Sequence, residues 1–316
     1  MREMPSVGET SPARFTPSRA PGSVSKLAAG FAGLVAIVWV LIVLGALVRA
    51  NDAGLACPDW PLCFGEFVPR FDVKVAFEYS HRVLAGSVSI VFAWLAWSTW
   101  RNPAVGDSTR RLIAVAALLL CVQILLGALT VWELLASWTV TSHLVMGNAV
   151  AVALLLVTLS LREASVLVPR APLPRGARNA LVASGVLLAL QIVLGGLVSS
   201  RYAGLACLEW PTCNGGVWFP TFRGPVGLHL LHRSNAYLML LVVGLATWLC
   251  RGLPRLRGIA ALLLGALTAQ AAVGVANVKF GLPVEITGLH SALATVLVLT
   301  TAMALREVFA ARSGAC

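Results

Sequence analysis

The sequence predicts an all-α integral membrane protein of eight transmembrane helices, arranged as two four-helix bundles related by a pseudo-two-fold axis. Three observations predict this fold: the composition, a set of long apolar segments and an internal repeat. Of the 316 residues, 58% are hydrophobic and only 12% are charged. A soluble domain is about 25% charged, so most of this chain is expected to lie in a lipid bilayer.

Eight apolar segments are each long enough to cross the bilayer, for which a helix needs roughly 20 residues. The apolar runs are continuous and do not alternate with polar residues, so they predict helices and not the strands of a barrel. In chain order, the predicted spans are 27–48, 76–100, 112–132, 138–161, 180–199, 225–250, 259–278 and 285–305.

The distribution of basic residues predicts the orientation of these spans. A net charge of +11 would by itself suit a nucleic-acid ligand, but 16 of the 24 Lys and Arg residues lie in the two tails and in three alternate connections. Only six lie in the connections on the opposite side. This asymmetry follows the positive-inside rule. We therefore expect a multi-pass protein of the cell membrane, with both termini in the cytoplasm and no nucleic-acid partner.

An internal repeat divides the chain into two similar halves. The sequences LGALVRANDAGLACPDWPLCFG (44–65) and LGGLVSSRYAGLACLEWPTCNG (194–215) are identical at 13 of 22 positions. Each half crosses the membrane an even number of times, so both have the same orientation and the symmetry axis is expected along the membrane normal. The predicted organisation is a disordered cytoplasmic tail (1–26), an N-terminal bundle (27–161), a cytoplasmic linker (162–179), a C-terminal bundle (180–305) and a cytoplasmic tail (306–316).

Four histidines recur in register, one on each even-numbered predicted helix. Each lies about five residues inside the same end of its span, roughly 8 Å deep at ~1.5 Å per residue. An imidazole within lipid is costly and usually faces a bundle interior with a function. Equal depth lets two imidazoles of one bundle face each other, as the axial ligands of a heme iron do. The predicted pairs are His81 with His143, and His232 with His290.

Other polar residues accompany these histidines. A glutamine lies 20 residues before two of them, Gln123 before His143 and Gln270 before His290. An arginine directly follows the other two. Arg82 and Arg233 are candidate contacts for heme propionates, because a guanidinium suits bidentate recognition of carboxylates. The alternative is that both arginines extend towards lipid headgroups.

The two long loops on the non-cytoplasmic side each contain a cysteine pair with the same C-x5-C spacing around Trp-Pro. The pairs are Cys57 with Cys63 and Cys207 with Cys213. Disulfides persist on this side of a membrane. The spacing is compatible with two structural loop staples and also with a redox-active dithiol, since a small closed loop is more easily reduced.

The clearest difference between the halves is Glu78, one helical turn before His81, where the second half has His229. Glu78 and His81 share one face of their helix. Such a carboxylate is suited to moving protons or stabilising a developing cation; the alternative is an interfacial glutamate bonded to the loop backbone. This asymmetry indicates that one half holds a cofactor while the first half performs chemistry.

Taken together, these residues resemble the heme A synthase family. The resemblance covers about residues 27–305 and includes the fourfold histidine pattern and the C-x5-C loops. It implies oxidation of the C8 methyl group of heme O to the formyl group of heme A, the prosthetic group of aa3-type terminal oxidases. The local matches are Gly-Ala-Leu-Val-Arg at the first loop, Gly54-Leu55, Asp59-Trp60-Pro61 and Glu78-Tyr-Ser-His81-Arg82.

The resemblance also implies roles for the site residues. His232 and His290 would be the axial ligands of a heme b cofactor, through which electrons would enter. Direct use of O2 in the hydroxylation, and removal of electrons followed by addition of water at a carbocation, both stay open. His81 and His143 would bind the iron of the substrate heme O. Glu78 matches the essential acidic residue of the family.

In the loops, Cys57 and Cys63 match the reactive cysteines of the family, and Cys207 and Cys213 match its second-half disulfide. His229 has no counterpart among the motif histidines and stays unassigned. The implied partners are heme O, the lipid bilayer, an electron donor and the heme O synthase (protoheme farnesyltransferase) that supplies the substrate; direct docking of that enzyme and a homo-oligomeric state stay open.

Two other functions use the same residues. A di-heme b electron-transfer cytochrome, such as a subunit of a quinol oxidoreductase, would use all four histidines but would not need Glu78 to differ from its repeat partner. A membrane thiol oxidoreductase would use the loop cysteines with a quinone but would leave the histidines without a role.

Overall fold

The computed structural model describes residues 22–70, 72–163 and 172–310. Residues 1–21, 164–171 and 311–316, which belong to the predicted tails and linker, lie outside this description. The described chain forms eight long helices, and each predicted span lies within one of them. The helices are α1 (Gly22–Ala50), α2 (Val73–Trp100), α3 (Asp107–Trp132), α4 (Ser137–Glu163), α5 (Arg175–Ser200), α6 (Gly224–Cys250), α7 (Pro254–Lys279) and α8 (Val284–Ala310).

All eight helices are long and apolar enough to cross a membrane, which confirms the predicted all-α multi-pass membrane protein. Each has 26 to 29 residues, or a length of about 40 Å at ~1.5 Å per residue. The hydrocarbon core of a bilayer is only about 30 Å thick. The helices therefore continue through the polar interface, where an intact backbone ladder still satisfies the peptide groups.

The helices extend beyond the predicted spans into ranges that were predicted as tails and linker. Residues 22–26, predicted as disordered tail, form the first turn of α1. α4 continues to Glu163 and α5 begins at Arg175, so both helices extend into the range predicted as linker, 162–179. α8 runs to Ala310, into the predicted C-terminal tail. Hydropathy marks the part of a helix that lies in hydrocarbon, whereas the helix itself ends where its hydrogen bonds end.

Within each half, the helices form a ring in which neighbours pack together. α1 packs against α2 and α4, and α3 packs against α4; likewise α5 packs against α6 and α8, and α7 packs against α8. The even-numbered helices of one half are therefore diagonal to each other, α2 opposite α4 and α6 opposite α8. Side chains that point inward from a diagonal pair meet along the bundle axis.

The halves differ at one seam of the ring. α6 packs along α7, whereas α2 and α3 touch at only a few positions. The remaining seams of the first half are well packed, for example where the rings of Phe31 and Phe92 meet edge to face at 6.4 Å between centroids. The first half is thus open along its α2–α3 side.

The two halves join through α1, α4, α5 and α8. The indole N–H of Trp39 on α1 donates a hydrogen bond to the backbone carbonyl of Ala292 on α8, at 3.0 Å. Arg306 on α8 forms a two-bonded ion pair with Glu163 on α4. Close backbone approach is helped by Gly196 on α5, where an added Cβ would meet the side chain of Thr141 at 2.9 Å.

The long connections α1–α2 and α5–α6 lie at one end of the molecule, which we call the loop end. The short connections α3–α4 and α7–α8 support them there in the same way. Leu135 and Leu282 adopt positive φ angles of 59° and 61°, and their side chains lie against Gly54 and Gly204. A residue with a bulky side chain rarely adopts a positive φ angle. Here that conformation places the leucine side chain against the glycine of the long loop, and this contact fixes the position of each long loop.

Candidate functional site

The four histidines lie near the loop end of α2, α4, α6 and α8, on the diagonal helices of each half. His81 is within electrostatic range of His143, and His232 is within range of His290. The pairs predicted from the sequence are therefore brought together across each bundle.

Each imidazole lies against a glycine on the neighbouring odd-numbered helix. An added Cβ at these glycines would lie 3.1 to 3.2 Å from the Cε1 atom of the ring, closer than an ordinary van der Waals contact. A larger residue would displace the ring, so the glycines make the space that the imidazoles occupy. The contacts are Gly45 with His81, Gly127 with His143, Gly195 with His232 and Gly274 with His290.

The Nδ1 atom of every one of these four imidazoles is buried without a hydrogen-bond partner. A buried polar group left unpaired costs about 1–3 kcal/mol, and this structure repeats the feature four times in register. Two facing imidazoles with a free ring nitrogen each are the donor set that an axially ligated heme iron requires. The residues of both halves therefore fit the predicted heme sites.

Side-chain amides approach two of the imidazoles. The Nε2 atom of Gln123 on α3 lies 3.3 Å from Nε2 of His143, and Nε2 of Gln191 on α5 lies 3.3 Å from Nε2 of His232. Asn235 fixes the orientation of the Gln191 amide by donating to its Oε1 atom at 2.7 Å. Spacing in the sequence had indicated Gln123 but missed Gln191.

Arg82 and Arg233 reach into the long loops. The guanidinium of Arg82 donates to the backbone carbonyls of Cys57 at 3.0 Å, Asp59 at 2.5 Å and Leu62 at 2.6 Å. These contacts hold the first loop over the loop end of α2.

The second half repeats the arrangement with aligned residues. Arg233 donates to the carbonyls of Cys207 at 2.8 Å, Glu209 at 2.9 Å and Thr212 at 3.1 Å. In the described residues, the structure thus gives both arginines the role of loop anchors, and contact with heme propionates stays a prediction.

Glu78 occupies the position where this repeat is broken. It is 5% exposed, and its Oε1 atom lies 2.5 Å from the guanidinium of Arg82. Its Oε2 atom accepts the backbone N–H of Cys57 at 3.0 Å. The carboxylate is therefore paired and bonded to the loop backbone, while it stays one turn from His81.

In the second half, His229 takes the same place with different chemistry. Its Nδ1 atom lies 3.0 Å from the carbonyl of Ala203, and its Nε2 atom accepts a hydrogen bond from Arg233 at 2.9 Å. The two halves therefore share a loop, an anchoring arginine and an imidazole pair, but only the first half has a carboxylate there.

Both predicted cysteine pairs form disulfides. The Cα–Cα distances are 4.7 Å for Cys57–Cys63 and 4.4 Å for Cys207–Cys213, and all four side chains are buried. This confirms the pairing; a redox role of either pair stays a prediction.

In each disulfide loop, the carboxylate of an acidic residue between the two cysteines accepts hydrogen bonds from backbone N–H groups that follow the second cysteine. Asp59 accepts the backbone N–H groups of Gly65 at 2.7 Å and Phe64 at 2.6 Å. The N–H of Gly65, followed by that of Phe64, holds the pKa of the Asp59 carboxyl below its usual value. Glu209 does the same in the second loop, where the N–H of Gly216 is the main cause of its lowered pKa.

In the part of the chain that the structure describes, no three His, Cys, Asp or Glu residues cluster in a way that would hold a metal ion directly. The fold and the site define an eight-helix membrane protein with two paired-imidazole sites, each suited to one heme iron.

Comparison with known proteins identifies the family. Residues 30–76 and 70–302 match the COX15-CtaA family, described as cytochrome oxidase assembly protein. The heme A synthase of Shewanella oneidensis is 30% identical over 302 residues, which cover 83% of this chain and 90% of that protein. That of Symbiobacterium thermophilum is 32% identical over 254 residues, covering 76% and 80%. The chain belongs to the COX15-CtaA family of heme A synthases, which confirms the resemblance.

Proposed function

We propose that this protein oxidises the C8 methyl group of heme O to the formyl group of heme A. The observation that carries the proposal is a difference between the two halves at one aligned position. That position is Glu78 in the first half and His229 in the second, while the surrounding loop, arginine and imidazole pair are equivalent. The membership of the chain in the heme A synthase family supports the same activity. An enzyme that binds two similar hemes but changes only one needs such a difference between its halves.

We assign the second half to a resident heme b with His232 and His290 as axial ligands, and the first half to heme O with His81 and His143. The open α2–α3 seam supports this assignment. Heme O enters and heme A leaves through the lipid, with a farnesyl tail attached. A bundle that is open to the lipid on one side suits that exchange, whereas the packed α6–α7 seam suits a heme that stays.

Glu78 acts as a fixed negative charge at the edge of the substrate site. Arg82 and the N–H of Cys57 hold its two oxygens, so the charge needs no reorganisation during the reaction. A preorganised charge of this kind stabilises positive charge that develops in a transition state. We therefore assign Glu78 to stabilising the methyl carbon as it becomes cationic.

The overall change is balanced with water as the source of oxygen. The methyl group R–CH3 and one H2O give R–CHO, four electrons and four protons. His232 and His290 would hold heme b, which would supply one-electron transfer from the substrate site to an external electron acceptor, because the four electrons must leave the substrate.

The orientation and symmetry of the molecule follow the same proposal. We place both termini in the cytoplasm, with the loop end on the opposite side, and relate the bundles 27–161 and 180–305 by a pseudo-two-fold axis. Basic residues in the tails support the orientation. The repeated glycine, arginine and disulfide contacts support the symmetry. Arg82 and Arg233 remain candidates for propionate contact at the heme edges.

Pigment analysis tests the function. The chain is produced in cells together with a heme O synthase, and the extracted hemes are separated by chromatography. We expect heme A only when the wild-type chain is present. A purified protein with two permanently bound b hemes and no heme A formation would instead identify an electron-transfer cytochrome. Thiol oxidation without any heme requirement would identify a thiol oxidoreductase.

A further inference from the structure

The residue one helical turn before the first histidine of each pair differs in charge between the two halves. In the first half, the carboxylate of Glu78 forms an ion pair with the guanidinium of Arg82, so the two charges cancel. In the second half, the Nδ1 atom of His229 donates to the carbonyl of Ala203, while its Nε2 atom accepts from Arg233. A ring with one N–H and one accepting nitrogen is the neutral imidazole. His229 therefore bonds to the guanidinium without cancelling its charge.

Arg233 thus keeps a whole positive charge beside the histidine pair of the second half. Its side chain is partly buried. Within the described residues, its bonds go to His229 and to three backbone carbonyls, all of which are uncharged acceptors. Arg233 directly follows His232 in the chain and acts electrostatically on that imidazole. Arg82 acts in the same way on the first pair, but there the charge of Glu78 opposes it.

The other charges near the loop end differ between the halves in the same direction. In the first half, segments 49–82 and 132–138 contain four basic and six acidic residues, a net charge of −2. In the second half, the aligned segments 199–233 and 279–285 contain four basic and two acidic residues, a net charge of +2. The surroundings of the second histidine pair are therefore the more positive.

A positive charge near a heme iron favours the reduced form, because the iron site gains one unit of negative charge when it takes up an electron. At an effective dielectric constant of about 20, a unit charge roughly 10 Å away changes such an equilibrium on the order of ten-fold. For a one-electron couple, a ten-fold change corresponds to about 59 mV. Salt screens exposed loop charges over about 10 Å, so the partly buried arginine contributes most.

We propose that the positive charge of Arg233, which the neutral His229 leaves uncompensated, raises the reduction potential of a heme held in the second half. The first half lacks this effect, because Glu78 cancels the charge of Arg82. The resulting difference in potential directs electrons from the first half to the second. This direction rests on the proposed function, in which four electrons leave the substrate in the first half. His229 and Arg233 act through the charge beside the ligand pair, so they are positioning residues.

Redox titration of the full-length chain tests the proposal without any turnover. The chain is loaded with hemin in detergent in a His81→Ala background, which leaves the second half as the intact pair, and the bis-histidine bands are followed against the applied potential. His229→Glu should lower the midpoint potential by about 59 mV, a ten-fold change in the reduction equilibrium, because the new carboxylate cancels the charge of Arg233. His229→Gln, an uncharged acceptor for the same guanidinium, is the matched control and should leave the potential unchanged. Equal potentials in these two variants would overturn the proposal.

A second pair of variants tests the charge of Arg233 itself. Arg233→Gln removes the charge and should lower the midpoint potential to a similar extent. Arg233→Lys keeps the charge but cannot bridge the three carbonyls, so it reports the effect of a loosened loop alone and should retain the higher potential. A potential as low in Arg233→Lys as in Arg233→Gln would assign the shift to the loop and contradict the proposal.

The reciprocal substitution in the first half replaces His229→Glu if that variant does not fold with its heme. In a His290→Ala background, Glu78→Gln leaves Arg82 as the uncompensated charge and should raise the midpoint potential of the first site by about 59 mV. An unchanged or lower potential would again overturn the proposal.

Failure of this inference can be distinguished from failure of the proposed function. A chain that forms no heme A but has a lowered potential in His229→Glu would refute the proposed function and leave the charge effect standing. A chain that forms heme A but has equal potentials in His229→Glu and His229→Gln would refute this inference alone.

Discussion

Gly274 on α7 lies against the imidazole of His290 on α8 so closely that a Cβ at Gly274 would be 3.2 Å from Cε1 of the ring. The same contact recurs at the other three histidines, with distances between 3.1 and 3.2 Å. The position of each imidazole is therefore set by a glycine on a neighbouring helix, because the glycine has no side chain to occupy the space of the ring.

Substitution of Gly274 by valine should displace His290 and abolish the b-type spectrum of the second half. Overpacking in a well-packed interior typically costs about 1–3 kcal/mol, and here the strain falls on the ligand itself. Gly265→Val on the same helix is the control, because Gly265 is exposed and has no atom within 4 Å of an added Cβ. Optical spectra of both purified variants make the comparison; an unchanged spectrum in Gly274→Val would refute the contact.

The two histidine pairs should respond differently to alanine substitution. We expect His290→Ala to lose the spectrum of the resident heme b, since one axial ligand is removed from the site that keeps its heme. His81→Ala should retain that spectrum while it loses heme A formation. Reduced-minus-oxidised spectra of the purified variants measure this, and the opposite pattern would exchange the roles of the two halves.

Glu78→Gln should abolish heme A formation, with a loss of about 100-fold or more, as is typical when a preorganised stabilising group is removed. The glutamine keeps an acceptor for the N–H of Cys57, so the loop and the heme spectrum should persist. Glu133→Gln, an exposed carboxylate at the same end of the first half, should leave the activity unchanged. Conversion of heme O at the wild-type rate by Glu78→Gln would exclude the proposed charge stabilisation.

Arg82→Lys should loosen the first loop, because an ammonium group cannot bridge the three carbonyls that the guanidinium holds. Loss of about two charge-assisted hydrogen bonds weakens the anchoring by about 3 kcal/mol. The Cys57–Cys63 disulfide should then be reduced faster by a water-soluble phosphine. Arg101→Lys, at the opposite end of α2, serves as the control, and equal reduction rates would count against the anchoring role.

The Asp59 carboxyl predicts a pH dependence of the same loop. Its pKa is lowered from 3.8, mainly by the N–H of Gly65, so it stabilises the folded loop above that value. The contribution is lost as the pH falls through the lowered pKa. Phosphine reduction of the disulfide should therefore accelerate below about pH 4. Asp59→Asn should already react fast at neutral pH, and an acid acceleration that persists in this variant would assign the effect to another group.

The sequence alone determined the number of spans, the repeat and the histidine pairs. Insertion of a helix depends on the transfer free energy of its own residues, so hydropathy is enough to locate it. Histidine is costly in lipid wherever it occurs, and for this reason four of them in register indicated candidate sites. The spacing of Glu78 and His81 on one helix face was equally local, since it needs only the 3.6-residue period.

Contacts between helices were decided by the tertiary structure. Gln123 and His143 lie on α3 and α4, which a short connection joins. The same spacing of 20 residues separates Gln270 from His290, so this pair of positions could be recognised in the sequence. Gln191 and His232 are separated by a long loop, which hid their contact until α5 and α6 packed together. Rotation of each helix about its axis, set by packing against several neighbours, determines which side chains meet.

The same reason explains the arginines and the open seam. In the sequence, Arg82 and Arg233 suited propionates and headgroups equally well, and folding of the loops over the helix ends gave them backbone carbonyls as partners. The separation of α2 from α3 could not be read from hydropathy, because hydropathy shows that each helix can cross the membrane and not which helices touch. Membrane insertion depends on the apolar character of each segment, so it can be predicted from the sequence. The residues that surround each imidazole depend on how the eight helices pack, so only the tertiary structure shows them.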